Sequence, residues 1–297
     1  MRLQAVNSAL AAALISMSIG MATTAAEGTI TGWLEVKGER VALTHVFAAM
    51  QKDSLAEGEK QIVAVMLSDQ PVPEALRRAD AQWEFWASEQ AVAGKIRGII
   101  LVIDPETKVW SRGQRLTTNG LTFYSHTSTD PASRTLRFDP ASAGQAEIAG
   151  KAWMMEAMRG MDENDGPWRI EATFRTPVLQ MAAVTAKLTG AQAKASPQYK
   201  TVMAFLDACK RKDLEGIRKT MDADSQAMLA KMVEAQGRAG ALDMLAGMAT
   251  DSLTMKAVEV VVRGETADVK LMNNTGKERN EHTLKVALDA GVWKMSR

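Results

Sequence analysis

Cysteine is all but missing: the 297 residues include a single one, Cys209. One thiol cannot close an intrachain disulfide, which excludes a disulfide-stapled scaffold. Histidine is nearly as scarce, with His45, His126 and His282 far apart in the chain. No His-x-x-x-His or Cys-x-x-Cys spacing occurs, so neither a structural nor a catalytic zinc site is expected. Phosphate loops, dinucleotide fingerprints and Gly-x-Ser-x-Gly elbows are also lacking, and no cofactor is expected. Charge of one sign is not in excess, with 36 basic and 35 acidic residues. Such a balance gives no electrostatic reason to seek nucleic acid or anionic lipid. Past residue 26 no apolar run, Ile99–Ile103 included, comes near the roughly 20 residues a membrane span needs.

The first 26 residues carry one charge, Arg2, then an apolar run from Ala9 to Ala22 and a cluster of small residues. A positive start, an apolar stretch and small residues at the cut make a secretory signal. Cleavage is expected after Ala26, with Ala25 the alternative. Losing Arg2 leaves equal numbers of basic and acidic residues. The expectation is a periplasmic or secreted protein with no membrane span after cleavage.

About 270 remaining residues suggest two domains by length. The small-residue stretch Thr189–Ala195, just before Ser196-Pro197, reads as a linker between them. Residues 27–188 carry short extended runs separated by turn formers: Thr29–Val36, Val41–Ala48, Gln61–Leu67, Ile96–Ile103, Lys108–Trp110, Arg134–Phe138, Ala146–Met155 and Trp168–Val178. One helix interrupts them over Ala75–Val92, where Leu76, Ala79, Trp83 and Trp86 recur at steps of three and four. The fold expected here is an antiparallel β-sandwich or barrel with one helix.

Residues 196–297 read as three helices and then a bent antiparallel sheet, which makes the whole chain α+β. Ser196 can cap the first helix with Pro197 in its first position. Val202, Phe205, Leu206 and Cys209 form that helix's apolar stripe, so the thiol reads as a small core residue. Asp213 starts a second helix, and Asp222 or Asp224 a third, which Gly237 and Gly240 interrupt. Leu253, Met255 and Ala257 then alternate before the phase slips to Val258, Val260 and Val262. A slip of one within an apolar run marks a β-bulge.

The spacing of Ala204, Phe205, Leu206, Ala208, Asp213, Ile217 and Met221, with a closing Gly291-x-Trp293-Lys294, resembles the nuclear transport factor 2-like superfamily. The resemblance implies a cone of helices and curved sheet around an apolar pocket. Members include isomerases, dehydratases and proteins without catalysis, so the resemblance leaves activity open. The opening GWLEVKGERVALTHVFA hairpin resembles secreted bacterial domains of unassigned role.

An isomerase of the ketosteroid type works with an aspartate base beside a tyrosine donor. Here it would use Tyr199, the one tyrosine after residue 196. No acid there shares an apolar, inward phase that would raise its pKa. A dehydratase would pair His282 with an acid; in phase with Leu284, Val286 and Leu288, it reads instead as a hydrogen-bonded group at the sheet edge. His45 reads as a polar group on a core face and His126 as solvated. Tyr199 and His282 are the candidate ligand-binding residues. Trp83 and Trp86 are the candidate partner anchors, because tryptophan dominates interface hot spots; the competing reading pins both to the sheet. Seven methionines, among them Met228, Met232, Met244 and Met248, fall within residues 203–255 and suit an adaptable pocket or an irregular core. Asn273-Asn274-Thr275 matches a glycosylation sequon. The function these features favour is non-catalytic binding of a small apolar molecule or a protein partner. A pocket isomerase or lyase, and a structural envelope protein, stand as alternatives.

Overall fold

A computed structural model describes residues 28–52, 60–79, 81–125, 136–158, 166–275 and 278–296. The expected signal segment, His126 and most of the Asp162–Gly166 turn lie outside them. The protein is α+β, with mostly antiparallel sheets and five α-helices among the described residues.

The first half contains β1 (Thr29–Val36), β2 (Glu39–Ala42), β3 (His45–Lys52), β4 (Gln61–Ser68), helix α1 (Trp83–Val92), β5 (Gly98–Ile103), β6 (Trp110–Thr117), β7 (Gly120–Ser125), β8 (Leu136–Ala143), β9 (Glu147–Met154) and β10 (Trp168–Leu179). Its strands form two strips, β8-β9-β10-β1-β2 and β3-β4-β5-β6-β7. They join where Val178 and Leu179 of β10 pair in parallel with Ala48 and Ala49 of β3.

Strand alternation sorts the side chains into two cores. Val63, Val65 and Leu67 of β4 and Ile99 and Leu101 of β5 meet Ile170, Ala172 and Phe174 of β10 between the strips. The intervening Ala64, Met66 and Ile100 pack on the other face against Trp83, Ala87 and Ala91 of α1. Glycine at position 32 is a packing requirement, since a methyl there would strike the Glu171 carbonyl and the Ala172 backbone across the β1–β10 ladder.

Two elements depart from the expected boundaries. The helix expected over Ala75–Val92 is a 3-10 turn at Glu74–Leu76 followed, after a break, by α1 alone. The short strand expected at Lys108–Trp110 is a full central strand over Trp110–Thr117.

In the second half β11 (Ala186–Thr189), α2 (Gly190–Ala195), α3 (Pro197–Lys210), α4 (Leu214–Thr220) and α5 (Ala223–Leu253) precede β12 (Lys256–Arg263), β13 (Thr266–Thr275), β14 (Glu278–Asp289) and β15 (Val292–Met295). The five strands form one antiparallel sheet in chain order. The capping follows the sequence: Ser196 Oγ accepts from the Tyr199 amide, Asp213 from the Gly216 amide and Asp222 from the Ser225 amide. The register of β12 against β13 shifts between Ala257 and Glu259, where the phase slip places the bulge.

The linker expected at Thr189–Ala195 needs correction. Ala186–Thr189 pairs with Glu259–Val262 as an edge strand, and Ala193 of α2 is buried in the second core. The irregular connection is Gln180–Thr185, mostly exposed. Limited proteolysis should therefore cut within Gln180–Thr185. A fragment from Thr185 to the C-terminus should unfold cooperatively by circular dichroism. One starting at Ser196, lacking β11 and α2, should melt lower or not fold at all.

Candidate functional site

The second core is filled from both sides. Val202, Leu206 and Cys209 of α3, Ile217 of α4, and Leu229, Leu242, Leu245 and Ala249 of α5 meet Val260, Val262, Val269, Leu271 and Val286 of the sheet. Burial raises the Cys209 thiol to about 12, so it stays protonated and inert at neutral pH. Tyr199, Met203, Met232 and Trp293 are partly buried against the same cluster.

Tyr199 and His282 are not brought together. Two residues beyond Tyr199, the Thr201 hydroxyl donates to the Trp293 carbonyl at 3.2 Å, and Trp293 pairs with Leu288. Leu288 lies six residues along β14 from His282, roughly 20 Å of strand. His282 faces the helices, paired with Leu271, but its side chain is exposed. The reason is topological: β15 covers β14 only at Val286–Asp289, so His282 stands on an open edge. Its Nδ1 lies 2.9 Å from Oγ of Ser252, a buried residue near the end of α5. Nothing in the sequence order announces that partner thirty residues away.

A recess of about 50 Å³ opens in the first half where β10 meets β3, with His45, Ser68, Arg77 and Thr176 among its polar lining and Phe47 and Val72 among its apolar lining. That space suits a few waters, and falls well below the roughly 300 Å³ of a metabolite pocket. His45, expected on a core face, is partly buried there. Among the described residues no three His, Cys, Asp or Glu side chains cluster as metal ligands.

The aromatic pair on α1 divides. Trp83 is 0% exposed and stands edge-on to Phe47, ring centroids 5.2 Å apart at 78°. It cannot be a partner anchor, because it shares with Ala87 and Ala91 the side of α1 that packs on the sheet. Trp86, about 60° around the helix from that face, is partly exposed. Phe85 and Val92, seven residues apart and so on one side, are 40% and 54% exposed. Helix α1 is thus apolar on both sides.

In its first turn Glu84 is partly buried. Gln51, in the amide orientation that satisfies both neighbours, donates to Glu84 Oε1 at 3.1 Å and accepts from Trp83 Nε1 at 3.3 Å. Burial raises the Glu84 pKa above the usual carboxylate value, and the Arg112 charge only partly opposes it.

Two outcomes test this layer. Trp83→Ala should cost about 3–5 kcal/mol of stability in urea unfolding, and Val92→Ala no more than about 0.5 kcal/mol. For Glu84 the folded state holds its proton more tightly than the unfolded chain. Stability should therefore fall as pH rises from the unfolded value of about 4.5 through the higher folded one. Glu84→Gln should raise the Tm at pH 7, and the gain should vanish by about pH 4. No family model, curated protein or solved structure matches the chain, so its function has to be read from these side chains.

Proposed function

We propose that the chain is exported and works as a non-catalytic binding protein, docking an apolar segment of another exported protein on the outer side of α1. The observation that carries this is the pair Phe85 and Val92. Large apolar side chains on a helix whose inner side is already spent on a core are disfavoured in water unless something covers them. Lys231 of α5 reaches Glu89 on the same helix at 2.9 Å, and the two apolar residues keep their exposure beside it. Trp86 at the flank supplies the kind of aromatic that anchors interfaces.

The small apolar ligand of the alternative reading has less support. It needs a cavity between helices and sheet, where methionine and Trp293 now pack. The isomerase or lyase reading needs an acid against Tyr199 or His282, and the side chain against His282 is a serine. For residues 186–296, helices followed by a bulged antiparallel meander support the nuclear transport factor 2-like reading; the strand β11 ahead of the helices is an addition to it. Export rests on the amino-terminal charge, apolar run and small residues. No helix among the described residues is long and apolar enough to cross a membrane.

The test is native mass spectrometry of the protein purified from its own host, with wild type beside a Phe85→Ser, Val92→Ser double variant. A stoichiometric protein adduct lost in the double variant, at unchanged Tm, is the expected result. A small-molecule adduct on both forms, or a protein adduct indifferent to the substitutions, overturns the docking role.

A further inference from the structure

The two halves share neither a core nor a sheet. Among the described residues β1–β10 form one set of ladders and β11–β15 another, and no strand pairs across. The hydrophobic clusters divide at the same place: two draw on residues up to Met181, and the third on residues from Ala186 onward. The covalent link is the mostly exposed, irregular stretch Gln180–Thr185. Two ion pairs span the gap. Lys231 of α5 donates to Glu89 Oε1 of α1 at 2.9 Å. At the end of β3, Lys52 stands 3.5 Å from Asp268 of β13, whose carboxylate also accepts from Arg263 at 2.9 Å. Relative motion is the default for halves joined in this way.

Glu89 stands in the middle of the docking side of α1. Trp83, Ala87 and Ala91 face the sheet. At about 100° per residue, Phe85, Glu89 and Val92 fall within roughly 60° of one another on the opposite side. Phe85 and Val92 are about 10 Å apart along the helix axis, with Glu89 between them in height. A segment that covers both apolar residues has to pass beside Glu89, and there it meets Lys231 with α5 behind it. Lys231 in turn lies roughly 160° around α5 from Leu229, on the side averted from the second core. Met228, 37% exposed, sits one turn before it.

We propose that the Lys231–Glu89 and Lys52–Asp268 pairs form a clasp that holds the second half across the docking side of α1, and that an apolar partner segment covers Phe85 and Val92 only when the clasp opens about Gln180–Thr185. The inference rests on the docking role proposed above and supplies its regulation. The Lys231 and Glu89 side chains are 66% and 33% exposed, so their pair is weak, screened by salt and open to competition. Lys52 and Asp268 are more enclosed, at 31% and 20%. Asp268 keeps Arg263 when Lys52 leaves, so opening strands no carboxylate without a cation. A clasp of this kind leaves a fraction of the free protein open, and the apparent affinity for a partner scales with that fraction.

The test reads the clasp without any partner. Spin labels are placed on the mature full chain at Lys95→Cys, just beyond α1, and Gln236→Cys, in α5; both positions are exposed, and Cys209 is too buried to react. A short label separation is expected at low salt, lengthening in about 1 M salt, where the screening length falls to about 3 Å. Lys231→Glu should lengthen it at low salt, and Lys231→Glu combined with Glu89→Lys should restore it. Nile red, an uncharged apolar dye, then reads access to α1. Its emission should rise about twofold or more in Lys231→Glu, and the rise should vanish when Phe85→Ser and Val92→Ser are added. A separation indifferent to salt and to Lys231→Glu, a charge swap that does not restore it, or a dye signal that survives the serine substitutions would each overturn the proposal. The label separations involve no partner, so failure of the docking role and failure of the clasp are told apart.

Discussion

The first half of the molecule depends on β10, the one strand that belongs to both strips. Eight of its residues, Trp168–Arg175, pair with β1, and Glu171–Pro177 pair with β9 on the other side. Its last two then switch to β3. The switch falls at Pro177, which has no N–H to lose and holds Thr176 in an extended conformation. Proline is poorly tolerated inside a ladder, but at the point where one ladder ends and another begins the missing donor is harmless. The recess beside Thr176 and Pro177 is the geometric remainder of that switch, and its small volume fits a packing seam better than a ligand site.

Apolar phase makes much of this fold legible. β1, β9, β10 and the last four strands follow runs whose alternation has one buried face, and β4 follows a continuous apolar run buried on both. The caps at Ser196, Asp213 and Asp222 follow from single residues whose chemistry has few other uses. The bulge near Val258 is visible because a slip of one flips every side chain after it. Elements without that signal stay hidden. The expected strand ends at Trp110, yet Ser111–Arg115 continues in β6 between two neighbours and beside α1. Its polar residues survive burial through particular contacts, such as the Arg115 guanidinium 5.4 Å from the Trp168 ring centroid. β11 is masked by its composition: Ala186-Lys187-Leu188 has too little apolar phase to read as a strand, and only pairing with β12 makes it one.

The candidate sites are legible in part, for a related reason. Phase says which way a side chain leaves the backbone, and it places Trp83 on its helix's inner stripe and His282 toward the helices. Phase does not say where a neighbouring strand stops. His282 is exposed because β15 is four residues long, and bonded because α5 ends beside it. Both facts belong to the ends of elements, where patterns are weakest. Phe85 and Val92 do carry a signal, as an apolar pair seven residues apart and off the stripe of Trp83. That signal is faint, because two apolar residues at helical spacing look the same whether a core or solvent faces them.

The row of methionines owes its position to Gly237. At about 100° per residue, Leu242 would lie roughly 140° around a straight helix from Leu229, almost on the opposite face. Both are buried in one core. A continuous helix could not do this, and α5 is not continuous: Gly237 has φ 74° and ψ 158°, a left-handed value that glycine adopts without a side-chain clash. The break resets the rotation, so that the second segment turns Leu242, Leu245 and Ala249 inward. Once that face is fixed, Ser252, seven residues from Leu245, lies on it under the edge of the sheet, and Met244 and Met248 run along its flank in solvent. The same rotation places the Ser252 hydroxyl between the Met248 carbonyl and the His282 imidazole. A backbone angle at one glycine thus decides which side chain meets a histidine forty-five positions away.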